Sequence, residues 1–128
     1  MSTVFTNAGK AAAAAAVISA ATMKYLQWGV GSGQTATSNT VNSTSTTTEA
    51  RVAGTMSQVT TTVTNDTVQI VGTITAAGSR AITEVGVHDA AGSGSPPTGG
   101  NMDLYGDFSV INLASGDSIA FTVQLKFS

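Results

Sequence analysis

The chain contains no cysteine, which excludes a disulfide scaffold, a thiolate zinc site and a cysteine nucleophile together and leaves the redox compartment open. Only 9% of its residues are charged, and five Lys and Arg against seven Asp and Glu give a net charge of -2. Five scattered cations assemble no basic patch, so no nucleic-acid partner is expected. Aromatic residues amount to 5%, too few for a platform of several rings that stacks on sugars. No run of about 18 strongly apolar residues occurs, so no membrane partner is expected. What is abundant is Thr (21), Ser (14) and Gly (14) within 128 residues. That composition favours strands and turns over exposed helices, and the length fits one compact domain.

The exception is the front of the chain. Lys10 to Met23 carries six consecutive alanines followed by Val17 and Ile18, and Thr6 or Asn7 is suited to cap a helix there. Lys10, the apolar run and the small residues Ser19 and Ala21 imitate a secretory leader, but the run is mostly alanine, which argues against one. Alanine methyls bury little area, so the docking face reduces to Val17, Ile18 and Met23. The sequence therefore predicts a helical arm over 1–23 that needs a neighbour, and a single β domain over 24–128.

Short segments with period-2 alternation follow. Tyr25 to Val30 reads as a strand, and Gln34 to Thr48, rich in Thr, Ser and Asn, as a long surface loop with a contact role. Val59, Thr61 and Val63 alternate with polar residues, and Asn65-Asp66 predicts a turn into Val68, Ile70, Gly72 and Ile74. Ile82 to Asp89, Met102 to Val110 and Ile119 to Phe127 supply further strands, separated by the Gly/Pro-rich stretch Gly92 to Gly100 and the turn Ser115-Gly116-Asp117. Six or seven strands at this spacing predict an all-β fold, a β-sandwich or small jelly-roll-like barrel.

Few constellations point to chemistry. Gly29, Gly31 and Gly33 imitate a phosphate-cradling turn, but neither a helix nor a Lys-Ser or Lys-Thr pair follows. Glu84 and His88 share one strand face with Asp89 on the other, a layout expected on the solvent or partner face of a sheet. Asp103 and Asp107 share a face too, yet supply too few ligands for calcium. Tyr25 and Trp28 are candidates for sugar stacking, with a core or interface role favoured for Trp28. No catalytic, metal-binding or cofactor-binding residue is assigned.

Several phrases, in order along the chain, resemble a family of small structural proteins of tailed-bacteriophage virions. They are Thr6-Asn7-Ala8-Gly9-Lys10-Ala11-Ala12, then Lys24-Tyr25-Leu26-Gln27-Trp28-Gly29-Val30-Gly31, then Ile82-Thr83-Glu84-Val85-Gly86-Val87-His88-Asp89-Ala90. The closing Gly106-Asp107-Phe108 and Gly116-Asp117-Ser118-Ile119-Ala120-Phe121-Thr122-Val123 are similar to the family's last hairpin. His88 and the alanine-rich helix depart from the usual pattern. The resemblance implies a non-enzymatic protein without cofactor, located on the capsid surface of the virion, that decorates and cements neighbouring major capsid subunits. A tail or fibre component with weak glycan binding is the alternative. Contacts to the major capsid protein or to neighbouring copies are expected through the arm and the long loop, at Val4, Phe5, Val17, Ile18, Met23, Thr44 and Thr46.

Overall fold

A computed structural model describes residues 1–128. One helix, α1 (Asn7–Ala20), precedes seven strands: β1 (Tyr25–Gly29), β2 (Val52–Ala53), β3 (Thr55–Val59), β4 (Thr67–Thr75), β5 (Arg80–His88), β6 (Met102–Leu113) and β7 (Ser118–Lys126). They form two antiparallel sheets, one in the order β2-β1-β5-β6 and one in the order β3-β4-β7, a small β-sandwich.

The alternation read from the sequence decides which side chains meet between the sheets. Leu26 stands opposite Val87 and Trp28 opposite Val85, which puts all four on one face. That face packs on Val68, Ile70, Ile74 and Phe121 of the second sheet. On one side the sandwich is bridged by the chain itself: β2 passes through Gly54 directly into β3 of the other sheet, and the Gly54 N–H donates to Lys24 O at 2.8 Å. On the opposite side β6 and β7, the other two edge strands, are joined only at one end, by the turn over residues 114–117.

The helix differs from expectation in its position. Thr6 caps it, the hydroxyl accepting from the Gly9 N–H at 3.0 Å, and Ala21 ends it in the left-handed conformation (φ 56°), short of the predicted Met23. It does not stand apart as an arm. Ala14 is wholly buried in the core, and Val17, Ile18 and Met23 pack against that core. Gln58, on the same face as Val68, donates to Ala11 O at 2.9 Å. The physical reason lies in the alanines: a helix surface of methyl groups lets the backbone approach the sheet closely, so a weak hydrophobic face still fills the space between layers. No helix is long and apolar enough to cross a membrane.

The stretch after Val59 also differs. Val59, Thr61 and Val63 alternate, but β3 ends at Val59 and residues 60–66 curl around Asp66. Its buried carboxylate accepts the N–H groups of Thr61 (3.0 Å), Thr62 (3.2 Å) and Val63 (2.9 Å). Three backbone donors gathered by one carboxylate compete with the ladder and win.

Candidate functional site

The face of the four-stranded sheet that points away from the core holds the unusual chemistry. Gln27 lies opposite Gly86, Gly29 opposite Glu84 and Tyr25 opposite His88; β6 adds Tyr105 and Asp107 to the same face. An outward face of this kind is ordinarily wet. Here Gln27, Glu84 and His88 are all buried, because the chain from Val30 to Arg51 runs back over them as a strap.

Glu84 fastens the middle of this strap. One carboxylate oxygen accepts the backbone N–H of Asn42 and the other the Tyr105 hydroxyl at 2.7 Å. Burial disfavours the phenolate, and the adjacent Glu84 carboxylate disfavours it further, so the Tyr105 hydroxyl is pushed up to about 12. Around this contact the Val30 N–H donates to Asn42 O at 3.0 Å, the Thr83 hydroxyl to Gly31 O at 2.6 Å, and the Gly33 N–H to Asp107 at 2.9 Å. A Cβ at Gly29 would run into the Glu84 carboxylate, and one at Gly31 into Asn42. Within the glycine run that imitates a phosphate turn, Gly29 thus makes room for the Glu84 fastening and Gly31 for Asn42 of the strap.

Two further anchors hold the strap's end. Glu49 forms an ion pair with Arg80 at 2.7 Å and accepts from the Trp28 indole N–H at 3.1 Å and the Ala77 N–H at 3.0 Å. Burial opposes ionisation of Glu49, but the Arg80 guanidinium and these donors outweigh it and hold the carboxyl below its usual range. Arg51 donates from Nε to Gln27 at 2.8 Å and from Nη1 to Ala90 O (2.9 Å) and Gly99 O (2.7 Å), while Gln27 donates to Pro97 O at 3.2 Å. Sheet, strap and the 89–101 loop are joined at this point.

His88 is the exception in this satisfied layer. It is 0% exposed, and neither ring nitrogen has a hydrogen-bond partner. Burial lowers its pKa to about 4, and the Arg51 guanidinium adds to the effect, partly offset by backbone contacts and Asp89. His88 is therefore neutral at pH 7.

The structure corrects the expected placement of Glu84 and His88: both lie under the chain's own strap, not on a solvent or partner face. Trp28, 1% exposed with its N–H engaged by Glu49, offers no face to a sugar. Asp103 sits at a register shift of β6 and Asp107 is held by Gly33, so the two do not converge. No group of three or more His, Asp or Glu is placed to share a metal ion.

The expected partner-binding residues divide into three groups. Val4 (79% exposed) and Phe5 (45%) are open to solvent, Phe5 meeting Phe127 edge-on at 6.2 Å between ring centres. Val17, Ile18 and Met23 are spent on the chain's own core. Thr44 and Thr46 are exposed on the strap, their hydroxyls 2.7 Å apart, with Thr47 buried beneath as the anchor. They border a shallow depression with Arg80 and Leu113, at the end of the sandwich opposite Phe5. Sequence reasoning missed Arg51, Glu49 and Tyr105; the roles of the acid, the arginine and the tyrosine show only once the strap is laid on the sheet. Comparison with family models, with curated proteins and with solved structures finds no match to this chain.

Proposed function

We propose that this chain is a structural component of a tailed-bacteriophage virion, a capsid decoration protein that bridges and stabilises neighbouring major capsid subunits. The family resemblance of the ordered phrases supplies the class, and one structural observation supports it. The polar side chains that would otherwise make a reactive cleft are turned inward to hold the strap, leaving a firm, hydroxyl-rich and nearly uncharged exterior with Val4 and Phe5 open beside it. Such a body suits attachment to a repeating lattice, where many weak contacts act together through effective concentration.

Contacts to the shell are assigned to the exposed members of the expected set, Val4, Phe5, Thr44 and Thr46. Purified particles lacking the chain, incubated with added protein, are expected to take up hundreds of copies. Val4→Ser with Phe5→Ser is expected to lower that uptake without changing the melting temperature. Copy numbers that instead follow the tail symmetry favour the tail or fibre alternative. Absence from purified particles overturns both readings.

A further inference from the structure

The side of the sandwich bounded by β6 and β7 carries an apolar groove of about 310 Å³, lined by Val85, Val87, Leu104, Phe108, Phe121 and Val123 among others. It exists because Gly106, on the core face opposite Val85, contributes no side chain, and a Cβ there would meet nothing within 4 Å. Phe108 and Phe121 flank the mouth with ring centres 6.1 Å apart. Both rims are unpaired strand edges. Backbone groups of β6 and β7 bond only to β5 and β4, apart from the Met102 N–H, which donates to Asn39. Edges of this length are ordinarily protected by charge, proline or covering segments. Here Phe108–Leu113 and Ser118–Leu125 have neither a charge nor a proline, and Val110 and Ile111 are 53% and 39% exposed.

We propose that this open side is closed by a second copy of the chain, in a two-fold dimer where β6 of each copy pairs antiparallel with β7 of the other. β6 and β7 are successive strands joined by a short turn and run in opposite directions, so a two-fold axis along the strands pairs both edges at once. Each four-stranded sheet then continues into the partner's three-stranded sheet. One register fits the apolar residues of β6 that face the core ahead of its irregularity. Phe108 meets the partner's Phe121 and Leu104 the partner's Leu125. The same register sets the exposed Asp103, at the register shift of β6, against the partner's exposed Lys126. The charges discriminate between alternatives: a β6-to-β6 and β7-to-β7 arrangement brings no such pair together. Nine paired residues span roughly 30 Å, and the two layers are about 10 Å apart with side chains beyond. The buried surface is thus on the order of 600 Å² per copy, near the lower limit for a specific interface.

The dimer specifies the self-association contained in the virion reading. It is measured on the purified full-length chain, so failure here and failure of the particle assay are read separately. Sedimentation velocity over a concentration range is expected to show a reversible two-subunit species. Asp103→Lys and Lys126→Asp, both at exposed positions, are each expected to weaken it about tenfold, and the double reversal to restore it. Near-UV circular dichroism checks that each variant keeps the fold. A wild-type chain that stays monomeric throughout overturns the proposal. So does a dimer indifferent to both reversals, which points to the like-with-like pairing, or a loss that the double reversal does not repair.

Discussion

Arg51 and His88 lie in the same buried layer, and no hydrogen bond joins them. Arg51 directs its donors to Gln27 and to the carbonyls of Ala90 and Gly99, which leaves the imidazole beside a cation with both nitrogens unpartnered. The layer tolerates this only while the ring is neutral.

Acid is therefore expected to loosen the fold through His88. Its pKa falls from 6.5 to about 4 on folding, so the unfolded chain binds the proton more readily. Stability is fully present above pH 6.5 and is lost as pH falls toward 4. The charges that face the ring are Arg51, which repels a proton, and Asp89, which attracts one but does not compensate. Between pH 7 and 4.5 the loss is about 2 kcal/mol. Denaturant titrations followed by Trp28 fluorescence check it: His88→Leu is expected to flatten this part of the pH dependence, and an unchanged slope refutes the assignment.

Glu84 is expected to be the fastening whose loss frees the strap. Glu84→Ala leaves the Asn42 N–H and the Tyr105 hydroxyl without their shared acceptor, a cost of about 2–4 kcal/mol. Tyr105→Phe removes one donor and leaves the Asn42 contact, and costs about 1 kcal/mol. Hydrogen exchange resolved along the chain separates local from global effects. Faster exchange confined to residues 30–47 in Glu84→Ala is the expected result, and uniform acceleration over both sheets contradicts it.

How far the sequence reaches is visible at these same residues. Alternation in Ile119–Phe127 and Val68–Ile74 is legible because one face of each strand is dry and the other wet, which writes period two into the residue types. On β1 and β5 that code is weaker, since both faces are buried and the outer one is filled by Gln27, Glu84 and His88. Nothing in a Thr- and Ser-rich segment distinguishes a strap from a loose loop, as its fastenings come from residues about 40 positions away, such as Glu84 with Asn42. The helix was legible as a helix but not as part of the core, because alanine reports propensity and says little about what lies against it.

Asp66 is expected to act at lower pH still. Burial opposes its ionisation, but the N–H groups of Val63, Thr61 and Thr62 and the Thr67 hydroxyl hold the carboxyl well below the usual range. A depressed carboxylate stabilises above its unfolded pKa, and that contribution disappears only as pH falls through the folded value. Wild-type protein thus keeps the 60–66 turn after the His88 transition is complete. Asp66→Asn offers a single acceptor oxygen in place of two and is expected to lower the melting temperature at pH 7. Equal melting temperatures for the two proteins contradict the role given to this turn.

The helix supplies the clearest test of how the front of the chain is used. Removing residues 1–23 strips Ala14, Val17, Ile18 and Met23 from the core and leaves apolar surface on the face that carries Val68. The truncated chain is expected to lose cooperative unfolding and to aggregate, since cavity and exposure terms act together. Removing only residues 1–5 takes away Val4 and Phe5, which lie outside the core, and is expected to leave the melting temperature within about 2 °C, as for other surface changes. Ala14→Leu tests the closeness of the contact directly: extra methylenes where an alanine is wholly buried cost about 1–3 kcal/mol. A chain lacking residues 1–23 that still melts sharply, or an Ala14→Leu variant as stable as the parent, returns the helix to the status of an arm. If instead only the long truncation unfolds, loss of partner binding in that variant reports on folding, and the short truncation becomes the informative probe of Val4 and Phe5.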